Sequence, residues 1–101
     1  MASRLELQKA LEELMSNRNV YFQPPTSIKM QYPAIRYTLK SISSMSANNQ
    51  SYSHTKAYEI ILIDYDPDSK FVDKLLRFPM CSFDRHYTAD NLHHYIFTIY
   101  Y

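Results

Sequence analysis

The sequence predicts an α+β domain: a mostly antiparallel sheet of four to five strands with two helices packed on one face, in the order α-β-β-β-α-β-β. Three observations predict it. Two segments, at the amino terminus and after Asp64, repeat apolar residues at helical spacing. The other structured segments are β-branched or aromatic runs bounded by Pro, Asp, Asn or Ser. Strands in succession, with helices that have to cover one face, favour an antiparallel sheet over a parallel α/β arrangement. At 101 residues the chain makes a single domain, residues 1–101, with one core.

Ser3 followed by Glu6 fits a capping box. Leu7, Ala10, Leu11, Leu14 and Met15 then recur on one face, which predicts a helix from about Arg4 to Met15. Its other face carries Glu6, Lys9, Glu12 and Glu13, the pattern of a solvated surface. Val20-Tyr21-Phe22 is a short run stopped by Pro24-Pro25, a brief strand at a sheet edge, where a missing N–H is tolerated. Tyr32-Pro33 leads into Ala34–Leu39, in which Ile35, Tyr37 and Leu39 are expected to share a strand face. From Lys40 to Thr55 the chain turns polar, with six serines, and this predicts a long hairpin arm or loop at about 40–55, closed by a turn at Asn48-Asn49 and mobile until it meets a partner.

Lys56–Asp64 is the clearest strand, apolar on both sides and therefore central. Asp66-Pro67-Asp68-Ser69 supplies turn and N-cap chemistry for a short helix that carries Phe71, Val72, Leu75 and Leu76 and ends before Pro79. Met80–Tyr87 and His94–Tyr101 are predicted strands joined around Thr88-Ala89-Asp90-Asn91. Tyr95, Phe97, Ile99 and Tyr101 then form one aromatic stripe, read as core, the alternative being an interface in which a neighbouring subunit covers the sheet.

Composition narrows the function. The chain has no glycine and ten tyrosines. Loops that cradle phosphates need glycine for close backbone approach, so the usual nucleotide sites are disfavoured. Tyrosine supplies stiff, amphipathic contact area and is common at interfaces. A formal charge of +1 provides no global field toward nucleic acid or an anionic membrane. A lone cysteine, Cys81, has no internal disulfide partner, which points to a reducing compartment, and no apolar run is long enough to span a bilayer.

No catalytic constellation stands out. Asp64, Asp66 and Asp68 match the first offsets of a calcium loop, but Ser69 stands where glycine is needed and Leu75 where a bidentate glutamate is needed. His54, His86, His93 and His94, with Asp84 and Asp90, invite a metal reading. Adjacent strand residues point to opposite faces, however, so His93 and His94 are not expected to share an ion. The metal-dependent hydrolase this reading allows, with His86, Asp84 and His94, is the alternative, and a soluble adaptor binding peptides by strand addition is a third. Cys81 reads as a small buried strand residue, and Arg85 as one half of an ion pair across strands or between subunits. No cofactor is expected.

Val20-Tyr21-Phe22-Gln23-Pro24-Pro25 with Tyr32-Pro33, the Asp64–Ser69 segment, and above all Cys81-Ser82-Phe83-Asp84-Arg85-His86-Tyr87-Thr88-Ala89-Asp90-Asn91-Leu92 resemble a family of small tail-completion proteins of tailed double-stranded DNA bacteriophages. Members are variously described as tail terminator, head-tail joining or minor capsid proteins. The resemblance implies a non-enzymatic virion protein that forms a closed ring, often six-fold, at the head-proximal end of the tail. Its partners would be further copies of itself, the tail tube protein and the head-side connector or adaptor, with genomic DNA passing through the lumen without specific binding and no membrane contact. Assembly would take place in the bacterial cytoplasm. On this reading the candidate contact residues are Met45, Asn48, Asn49, Tyr52 and His54 on the arm, Arg85 and His86 on the following hairpin, and Tyr101 at the end.

Overall fold

The computed structural model describes residues 4–16, 19–24, 29–47 and 51–101, with the backbone alone for 43–47 and 51–54. Helix α1 (Arg4–Met15) precedes strands β1 (Val20–Phe22), β2 (Ala34–Ala47) and β3 (Ser51–Asp64); helix α2 (Lys70–Leu76) and strands β4 (Cys81–Ala89) and β5 (Leu92–Tyr100) follow. The five strands form one sheet in the order β1-β2-β3-β5-β4. All neighbours are antiparallel except β1 and β2. Because β5 is inserted between β3 and β4, these two run parallel and are joined through α2 as a split β-α-β unit. The expected element order and sheet character are therefore observed. Ser3 of the capping box and the Asn48-Asn49 turn lie outside the described residues.

Both helices cover the same face of the sheet. Leu7, Leu11 and Met15 of α1 and Phe71 and Leu75 of α2 pack with Ile35, Tyr37, Tyr58, Ile60, Leu62, Tyr95, Phe97 and Ile99 in one cluster. The aromatic stripe of β5 is core, and Tyr101 is half-buried against it. On the opposite face Ile61, Ile63, Leu92 and Ile96 form a smaller cluster, covered in part by Met30 and Tyr32. This accounts for the two-sided apolarity of β3. Helix α2 begins as the turn chemistry predicts: the Asp64 carboxylate accepts the Asp66 N–H (3.2 Å), Asp66 accepts the Asp68 N–H (2.8 Å), and the Ser69 hydroxyl accepts the Phe71 N–H (3.3 Å).

Of the two forms open to the polar stretch, hairpin arm or loop, the structure shows the hairpin: β2 and β3 run on through it as 14-residue strands, with register continuing to Ala47↔Ser51. Fourteen residues in strand conformation span about 46 Å, which accounts for a long axis of 52 Å against 26 and 23 Å across it. Leu39 shares the face of Ile35 and Tyr37, as expected, opposite Tyr58, but at the margin of the core it is 39% exposed, immediately before a register shift between Leu39 and Ser41. The last turn narrows to Asp90-Asn91, both at positive φ (53° and 62°), the left-handed pair that a two-residue hairpin turn requires.

Without glycine, every left-handed position falls to a residue with a Cβ: Ser16, Gln23 and Met80 join Asp90 and Asn91. Met80 (φ 57°) lacks the short polar side chain that eases this conformation for Asp90 and Asn91, and at 69% exposed it contributes little packing in return. Met80→Gly keeps the carbonyl that accepts the Tyr100 N–H (3.1 Å) and is expected to raise stability by about 1 kcal/mol, measured by urea denaturation.

Candidate functional site

Strand β4 is exposed along nearly its whole length: after half-buried Cys81, every residue from Ser82 to Ala89 is exposed. It ends the strand order, so no described strand lies beyond it. The Tyr100 N–H bond to the Met80 carbonyl sets the ladder at one end and the two-residue turn sets it at the other. By antiparallel alternation, Cys81, Phe83, His86 and Thr88 turn their backbone N–H and C=O groups outward. Natural sheet edges are usually blunted by shortness, proline, lysine or a bulge. The opposite edge is blunted: β1 has three residues, and Gln23 continues it by donating its N–H to the Tyr37 carbonyl (2.9 Å) and accepting the Leu39 N–H on its side chain (3.3 Å). Strand β4 has no proline and no lysine, only a register shift between Phe83 and Arg85.

That bulge distributes the side chains. In a regular strand Phe83, Arg85 and Tyr87 share a face. Here Phe83 turns to the helix side and meets Phe97 (ring centroids 5.4 Å), while Arg85 pairs with Ile96 and Tyr87 with His94 on the other face. Tyr87 lies on His94 at 4.6 Å, planes 10° apart. His86 packs against Tyr95 (4.8 Å) on the helix side, with its Nε2 3.1 Å from Nδ1 of His93. Near-coplanar rings with centroids 5.3 Å apart share one N–H···N bond, its direction set by the tautomers.

The predicted contact residues thus separate into groups. Met45 pairs with Ser53, Ser46 with Tyr52, and Ser44 with His54, which places the arm residues along the distal β2–β3 ladder. Asn48 and Asn49 lie outside the described residues. Arg85 pairs with its chain neighbour Asp84 (3.0 Å) rather than across strands, both side chains being exposed, an arrangement that contributes little stability. Tyr101 is tied down by its N–H to the Lys56 carbonyl (2.9 Å) and sits beside Phe78 (6.4 Å). Sequence reasoning weighed His93 only as a metal candidate and did not select Phe83 or Tyr87; the signal for a contact of His93 with His86 was the tight turn, which brings the two onto a diagonal.

The set His86, Asp84 and His94 does not converge: His86 is on the helix face, His94 is on the opposite face with Nδ1 3.1 Å from the Leu92 carbonyl oxygen, and Asp84 holds Arg85. Among the described residues, no group of three His, Cys, Asp or Glu is placed to hold an ion together. An open cleft of about 240 Å³ lies between Pro67, Asp68, Ser69, Val72, Asp73 and Tyr95. The Tyr95 hydroxyl closes one wall by donating to the Pro67 carbonyl (2.6 Å).

Cys81 is half-buried beside the main core, and burial pushes its thiol from 9.0 up to about 11. A raised value favours the protonated folded state below pH 9.0, and this advantage is lost as pH rises through about 11. Alkylation of the folded chain is therefore expected to accelerate only toward pH 11, whereas the urea-unfolded chain reacts readily at pH 9. Equal rates at pH 9 would show an unshielded thiol. No helix among the described residues is long and apolar enough to cross a membrane. Comparison with known proteins finds no matching family model and no curated relative.

Proposed function

We propose that this chain is a structural virion subunit, a tail terminator or head-tail joining protein that closes into a ring, six-fold as the resemblance implies, at the head-proximal end of a phage tail. The ring caps the tail tube and offers its other surface to the head-side connector. The observation that carries this reading is the uncovered β4 edge, nine residues long, on a molecule whose β2–β3 arm extends away from the core. An open edge and a projecting two-stranded ribbon are both features that an added strand would complete. The most specific part of the resemblance, Cys81 to Leu92, spans that strand, its turn and the start of β5. A formal charge of +1 suits a ring through which DNA must slide, since tight phosphate contacts would hold it back.

The test is phage assembly without this protein. Tails of abnormal length, or complete tails that fail to join heads, are expected; normal tails on infectious particles would exclude the proposal.

A further inference from the structure

We infer that the open edge of β4 pairs with the β2–β3 arm of a second copy of this chain, head to tail. The inference rests on the ring reading for the closure of the chain of contacts, and on the backbone for the contact itself.

Among the described residues, two surfaces have strand-pairing groups with no strand beside them. One is β4, with outward groups at Cys81, Phe83, His86 and Thr88. The other is the arm. Strand β1 and Gln23 cover the outer edge of β2 only as far as Leu39, while β2 runs on to Ala47. On the other side, β5 first pairs with β3 at Ala57 and the Tyr101 N–H reaches the Lys56 carbonyl, leaving β3 residues Ser51–Thr55 with β2 as their described partner. The distal arm is a two-stranded ribbon, and such a ribbon alone is marginal in water until a third strand or a packing surface is added.

The two needs match. The arm offers β2 residues 41–47 as an open edge, and β4 offers nine. Strand addition depends on backbone hydrogen bonds, so a serine-rich strand serves well, and exposed Phe83 and Tyr87 on the two sides of β4 supply apolar area to the incoming ribbon. Charge adds a weaker preference: residues 40–58 carry Lys40 and Lys56 and no carboxylate, whereas the β4 hairpin carries Asp84 and Asp90 against Arg85. The arm and β4 lie toward opposite ends of the strand order, so the contact joins unlike surfaces. Unlike surfaces propagate head to tail and yield a ring when the rotation closes.

Two variants test this. In the first, His86→Pro with Thr88→Pro removes outward N–H groups while leaving the inward β5 ladder intact. In the second, residues 43–55 are replaced by Asn-Gly, which closes the hairpin next to the Ile42↔Lys56 pair. Native mass spectrometry should show a closed oligomer for the parent chain and a monomer for each variant alone. An equimolar mixture of the two should give a one-to-one dimer and nothing larger, because one retains the arm and the other the edge. Circular dichroism checks that both are folded; if the prolines unfold the hairpin, Thr88→Lys, which leaves every β4–β5 pair in place, replaces them. A parent chain that is monomeric at every concentration, a variant that still self-assembles, or a mixture without the dimer would each overturn the inference. Strand exchange accompanied by normal tails in phage lacking the protein would leave the contact standing and remove the neck assignment. Defective tails with a monomeric parent chain would do the reverse.

Discussion

Phe97→Ala is expected to bring the domain close to unfolding. Phe97 has no solvent exposure and sits in the middle of β5, paired in register with Ile60 on one side and Phe83 on the other. Both helices and the sheet contribute to the cluster around it, so no single element can move in to fill the space. Truncating a buried phenylalanine costs about 3–5 kcal/mol, against a total of about 5–15 kcal/mol for a domain. The melting temperature should fall by at least about 12 °C. Phe83→Ala is the control: its ring meets the same Phe97 but is 48% exposed, and a much smaller loss is expected. Equal losses for the two would contradict the packing described.

Tyr37→Phe is expected to cost about 0.5–1.5 kcal/mol, the net worth of a hydrogen bond whose partners are half-buried. Tyr37 is fully buried on β2, and its hydroxyl donates to Gln8 Oε1 and accepts from the Arg4 guanidinium (3.3 Å). Gln8 in turn donates to the Val20 carbonyl (3.0 Å), and Arg4 lies over the Phe22 ring at 4.2 Å. One hydroxyl therefore joins α1 to β2, while the residues it holds join α1 to β1. Burial pushes the Tyr37 phenol above its ordinary value of 10.0, partly offset by Arg4. Because the folded value is raised, the protonated folded state is fully favoured below about pH 10, and that contribution is lost as pH rises through the folded value. The parent chain should lose stability above pH 10, and Tyr37→Phe should lose less of it over the same range. Parallel pH profiles would show that this phenol is not the titrating group.

Much of the architecture was legible because local chemistry and tertiary packing agree. The spacing of Leu7, Leu11 and Met15 marks one buried helical face, and α1 runs from Arg4 to Met15 as expected. The cap at Ser69 and the apolarity of β3 on both sides likewise follow from residue types alone. The arm was harder to read, since serine has little preference for strands; the backbone hydrogen bonds between β2 and β3 make those residues extended. The candidate site was legible only in outline. His86 and Arg85 were selected for their chemistry, but their surroundings depend on a single extra residue in β4 that no composition reveals.

The sequence by itself determined the element order, the helix faces, the edge position of β1 and the central position of β3, since all of these follow from periodicity, caps and turn residues within a few positions. Only the tertiary structure decided that β5 enters between β3 and β4, that Phe83 and Tyr87 face opposite ways, and that His86 meets His93 rather than His94. Those facts depend on which strands lie side by side and on the register between them, and register is set by the whole packed core rather than by any one segment.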